Sequence, residues 1–129
     1  MAATVEYDRT LEDISKTMGF VPGFFKGVPI DALPHVWSIF KKYEMGTSLI
    51  PQKYKEMIGL AVAAAIKCPY CEIYHRSAAK MYGATDEELN EVALLTGQVV
   101  FWSAVLHAQK YDYDKFVKEL ESVAEYLKK

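Results

Sequence analysis

Residues 51–75 read PQKYKEMIGLAVAAAIKCPYCEIYH, and the way this stretch divides into two helices sets the reading of the chain. Pro51 suits the start of a helix, and from Gln52 to Ile66 the residues Met57, Ile58, Leu60, Ala61, Ala64 and Ala65 make a broad apolar face rich in small side chains. Small side chains let a second helix approach closely. Lys67 and Pro69 interrupt the pattern, and Pro69 fits the first turn of a following helix that starts near Cys68 and ends at Gly83. Cys68 is thereby placed at a helix N-terminus.

Outward from this pair, every segment reads as helix or as connection. Toward the N-terminus, Leu11, Ile14 and Met18 recur at helical spacing from Asp8 to about Met18, with Gly19 as the stop. Residues 19–30 combine three glycines, two prolines and the rings of Phe20, Phe24 and Phe25. That composition predicts an ordered loop whose rings anchor it to the core, the other reading being a substrate entrance. A second helix runs from near Pro34 to Tyr43 or Met45, with Trp37 and Phe40 on its buried side and Gly46 at its end. Toward the C-terminus, Thr85-Asp86-Glu87-Glu88 has the form of a capping box and opens a fifth helix, apolar on most sides from Leu89 to Leu106, which Gly97 either breaks or kinks. The sixth starts near Asp112 or Asp114 and carries Phe116, Val117, Leu120, Val123, Ala124 and Leu127 at spacings of three and four. No strand pattern or repeat is visible. The expected fold is an all-α bundle of about six helices in one domain, residues 1–129.

With 129 residues, half of them apolar, one core can form without metal or disulfide staples. The net charge of -2 arises from interspersed signs, so nucleic acid and anionic membranes are not expected partners. No charged leader precedes a long apolar run, and the apolar stretches carry polar interruptions that leave them short of a membrane span. A cytoplasmic location is expected. In that reducing compartment two closely spaced cysteines point to redox chemistry or metal binding sooner than to a permanent staple.

The two cysteines, Cys68 and Cys71, and one of three histidines, His75, fall within eight residues. On a helix, Cys71 and His75 lie on the face that Cys68 begins, and the i, i+3 spacing brings the cysteine Cα atoms to about 5–6 Å, within disulfide range. A reactive cysteine must ionise. The helix N-terminus favours charge on Cys68, whereas His75, one turn after Cys71, can take a proton from Cys71. A positioned base provides both ionisation and a proton route, so Cys71 is assigned as the attacking thiol and Cys68 as the resolving one. Zinc held by Cys68, Cys71 and His75 is the competing use of these residues, as a binding or redox-sensing module without turnover. A third reading makes the cysteines ordinary core residues of a structural oligomerisation domain. His107 is read as structural, and His35 carries no role.

The same stretch, Pro51 to His75, resembles the alkylhydroperoxidase AhpD-like branch of the carboxymuconolactone decarboxylase family. The likeness lies in a glutamate twelve residues before the first cysteine, Cys-x-x-Cys-x-x-x-His, a helix start of the form Gly-Ala-Thr/Ser-x-x-Glu at Gly83 to Glu88, and the Gly-Phe-Val-Pro-x-Phe-Phe stretch from Gly19. The resemblance implies a helical, oligomeric protein, commonly a trimer or hexamer. It implies that Glu56, Cys68, Cys71 and His75 are the catalytic set, with Glu56 and His75 relaying protons to thiols that reduce a hydroperoxide or disulfide. It calls for no cofactor or metal, and for an external dithiol or thioredoxin-like reductant to reset the pair. Tyr70 stands where better-known peroxidase members have a histidine between the cysteines. Decarboxylases of the family generally lack the cysteine pair, so the resemblance does not imply lactone decarboxylation.

Overall fold

At Lys67 the chain reverses with φ 60°, a left-handed conformation for a residue with a side chain. Two backbone bonds hold it there, from Lys67 N–H to Ala64 O at 3.3 Å and from Cys68 N–H to Ala63 O at 3.0 Å. They satisfy the last carbonyls of one helix while aiming the chain into the next. The computed structural model describes residues 2–129, and among them the helices are α1 (Ala2–Met18), α2 (Leu33–Ile39), α3 (Gln52–Ile66), α4 (Pro69–Met81), α5 (Asp86–Ala108) and α6 (Tyr113–Leu127). No strand occurs among the described residues. The protein is all-α, with six helices, as the periodicity predicts.

Two apolar clusters organise them. Leu60 of α3, Ala79 of α4, Ala84, and Leu89 and Val92 of α5 form one; Ile14 of α1, Phe25, and Leu33 and Trp37 of α2 form the other. The start of α5 is fixed by a complete capping box, in which Glu88 N–H donates to Thr85 Oγ1 at 3.1 Å and Thr85 N–H donates to Glu88 Oε2 at 2.9 Å. Lys53 of α3 reaches the same glutamate at 2.8 Å, tying α3 to that corner. In the second cluster, Trp37 Nε1–H donates to Asp13 Oδ2 at 2.7 Å, and Lys41 binds the same carboxylate at 2.9 Å. Those bonds hold the Asp13 carboxyl below its usual range.

Several expectations need correction. Helix α1 begins at Ala2, not Asp8; Thr10 Oγ1–H donates back to Glu6 O at 2.8 Å, and Tyr7 packs against the second cluster. Of the three loop rings only Phe25 is an anchor, at 3% exposed, inside a short 3₁₀ turn at Gly23–Gly27; Phe20 and Phe24 face solvent. Gly97 neither breaks nor ends α5, since its site is free of crowding and the helix runs through it. By length and composition α5 is also apolar enough to cross a membrane, contrary to expectation, because its interruptions Thr96, Gln98 and Ser103 are uncharged.

Two features position the residues singled out in the sequence. After α2 the coil widens into a π-helical turn, Phe40–Met45, tied to α3 by Gln52 Nε2–H donating to Met45 O and by Lys55 Nζ–H donating to Gly46 O at 3.0 Å. Helix α4 meanwhile lies against α3 at Gly59, where an added Cβ would stand only 2.7 Å from His75 Cγ. Gly59→Ala raises helix propensity by about 1 kcal/mol, but overpacking of this kind costs about 1–3 kcal/mol. A net loss of stability is therefore expected on urea denaturation, and an equal or higher midpoint would contradict the packing.

Candidate functional site

Glu56 occupies the middle of α3 on the side that α4 covers, and it is only 2% exposed. A buried carboxylate needs a partner. His75 supplies it: Nδ1–H donates to Glu56 Oε2 at 2.7 Å, the only route open to an acceptor-only carboxylate when the imidazole is neutral. With the Nδ1 proton so placed, Nε2 is left as the basic nitrogen. The ring is also held from the side by Tyr74, edge to face at 4.9 Å between centroids. Burial, reinforced by the charges of Glu56 and Glu44, pushes the Tyr74 hydroxyl up to about 12, so this ring packs as a neutral group.

Cys68 caps α4, its Sγ accepting the Cys71 N–H at 3.2 Å. The two cysteines are joined as a disulfide with Cα atoms 5.4 Å apart, within the separation expected from their spacing. Cys71 and His75 project from successive turns of α4 and line one cleft of about 410 Å³, together with Glu56 and Gly59. Cys68 does not line it. Ile58, Val62 and Ile66 of α3 add apolar lining, and Glu44, Ser48 and Lys55 add polar lining. The four residues singled out in the sequence thus come together, but only Cys71, His75 and Glu56 share the cleft. The reading of Phe20, Phe24 and Phe25 as a substrate entrance finds no place, because none of them lines it.

Three neighbours escape a reading by motif. Gly59 carries a signal, a glycine inside an otherwise favourable helix. Tyr74 was visible only as the residue before His75. Glu44 had no signal, since the π-helical turn that swings it toward the cleft cannot be read from spacing. Burial pushes the Glu44 carboxyl up from its ordinary 4.5, with His75 opposing and Glu56 adding to the rise. Elsewhere His107 Nδ1–H donates to Ser103 O at 2.6 Å within α5, in keeping with a structural role. Among the described residues no group of three His, Cys, Asp or Glu side chains is arranged to hold a metal ion, so the zinc reading of Cys68, Cys71 and His75 gains no geometric support.

A buried acid–base pair beside a reversible thiol pair fits a redox role. Comparison with known proteins agrees. The crystal structure of the alkylhydroperoxidase AhpD core from Rhodospirillum rubrum superposes with a TM-score of 0.74 at 28% identity, covering 90% of this chain and 88% of that one. Uncharacterized protein 4 in the cox locus of Paracoccus denitrificans is 31% identical over 61 residues, 47% of this chain. The matched segment spans about half that relative's length, 55%. The model of the carboxymuconolactone decarboxylase family matches residues 31–111, from before α2 to the end of α5, and so includes every cleft residue. The chain belongs to the carboxymuconolactone decarboxylase family, as an AhpD-like member.

Proposed function

We propose that this chain is a cytoplasmic, thiol-dependent oxidoreductase that reduces hydroperoxides or disulfides through Cys71 and Cys68, working as a homo-oligomer, a trimer or hexamer. The observation that carries the proposal is the buried Glu56–His75 pair sharing a cleft with Cys71. His75 accepts the Cys71 proton at Nε2, and the Glu56 carboxylate stabilises the imidazolium formed.

On a hydroperoxide, the Cys71 thiolate attacks the terminal oxygen. The O–O bond breaks, and the departing alkoxide takes the proton from His75 to leave as an alcohol. Cys71 is then a sulfenic acid, and Cys68 attacks its sulfur, expelling hydroxide that leaves as water once it gains the Cys68 proton. Two electrons have passed from the thiols to the peroxide. An external dithiol resets the pair by attack on Cys71, the sulfur that faces the cleft. The leaving sulfur is then Cys68, whose negative charge is met by the Cys71 N–H and the N-terminus of α4. On this reading the helix end and the histidine serve different sulfurs at different steps.

Cys71→Ser is expected to abolish turnover of a hydroperoxide with a dithiol donor, and Glu56→Gln to lower it by about 10²–10⁴-fold, the range for losing general acid–base help. Unchanged turnover in Cys71→Ser would refute the assignment. Glu44 gives a pH signature independent of turnover. A carboxyl whose pKa rises on folding favours the folded state below its ordinary pKa, an advantage lost as pH rises through the raised value. Relative to Glu44→Gln, the parent should therefore gain stability on acidification from about pH 7 to about pH 4. Urea midpoints of the two proteins at both pH values test this, and a gap that does not change with pH would contradict it.

A further inference from the structure

The chain exposes 9752 Å². A folded monomer of 14.6 kDa is expected to expose about 6,900 Å². The excess, roughly 2,800 Å², is well above the ~800 Å² that each partner gives to an ordinary interface. The C-terminal arm is a large part of what is exposed. Only Leu89 and Val92, in the first two turns of α5, are buried; beyond them Leu94, Val99, Phe101 and Trp102 are each more than half exposed, and no residue of α6 is buried.

An apolar groove lies between the body and the arm. Helices α3 and α5 flank an open groove of about 480 Å³ lined mainly by apolar side chains, among them Met57, Ala61, Ala65, Leu95, Val99 and Val100. No residue of α6 lies in it. Helix α6 has the complementary form, with Leu120, Val123 and Leu127 as one stripe and charges of both signs on the other side. At 15 residues it is about 22 Å long, enough to cover the groove from Tyr54 to Ala65, roughly 16 Å along α3. A lipid surface would select a basic polar face, which α6 lacks.

The groove and the thiol cleft are neighbours. Ile58 and Val62, each about half exposed, line both. We propose that a second copy of this chain lays its α6 in the groove between α3 and α5 and thereby closes the thiol cleft along its Ile58–Val62 edge. This rests on the homo-oligomeric reading above and adds which surfaces meet. Cys71 chemistry is then enclosed only in the assembly, and the site of one chain is incomplete without the arm of another.

The test uses the full chain carrying Cys68→Ser, so that Cys71 is the single thiol, with and without Leu120→Asp and Val123→Asp together. Sedimentation gives the assembly state, and the ratio of labelling rates with a bulky polyethylene-glycol maleimide and with iodoacetamide reports enclosure of Cys71. The parent is expected to be a multimer that excludes the bulky reagent. The α6 variant is expected to be a monomer of unchanged helicity, since neither side chain is buried within the chain, with the ratio raised at least about tenfold. A monomeric parent overturns the proposal, including one that binds phosphatidylcholine/phosphatidylglycerol vesicles through the arm. So does a multimer unaffected by the α6 substitutions, or a monomeric variant with an unchanged labelling ratio. None of these readouts needs turnover, so a failed peroxidase assay in an intact multimer would count against the reaction and not against the interface.

Discussion

The site depends on one carboxylate being held out of water. Glu56 is buried in the α3–α4 contact, where an unpaired charge would be strongly unfavourable, and its stability there comes from the hydrogen bond with His75. That single contact sets three other features. It requires Gly59, because any side chain at that position would occupy the imidazole's space. It fixes which ring nitrogen is free to act as a base. It also fixes the rotation of α4, and so decides that Cys71 faces the cleft while Cys68 caps the helix. Packing and chemistry are here the same constraint.

The helical skeleton was legible because its signals are local. Pro51 and Pro69 mark helix starts, Gly19 and Gly46 mark ends, and the Thr85 to Glu88 box forms as its residues require. The cysteine spacing likewise predicted a separation that the structure reproduces. What local pattern could not supply was burial. Glu56 would be read from its own helix as a solvated residue, and only the resemblance to a family drew attention to it. Phe20 and Phe24 show the converse, since ring size alone predicted anchors and the 3₁₀ turn presents only Phe25 inward. Glu44 was hidden for a further reason: its direction depends on a π-helical turn, whose extra residue shifts every side chain after it.

The C-terminal third obeys a different logic. The family match ends at residue 111, before α6, and the core ends at Val92. An arm this apolar on most sides is readable in sequence as either a central helix or an interface, and the structure settles that it is not central, since most of α5 is exposed. The body holds the cleft of Glu56, Cys71 and His75, and the arm holds the most exposed apolar part of α5 and all of α6.

The most direct test of the account is the rate at which iodoacetamide alkylates Cys71 at neutral pH in reduced Cys68→Ser protein, with and without Glu56→Gln. The account predicts labelling faster than that of an ordinary peptide cysteine, slowed at least about tenfold when the carboxylate is replaced. Equal rates in the two proteins, both at the level of an unassisted thiol, would show that the buried Glu56–His75 pair does not activate Cys71 and would contradict the account.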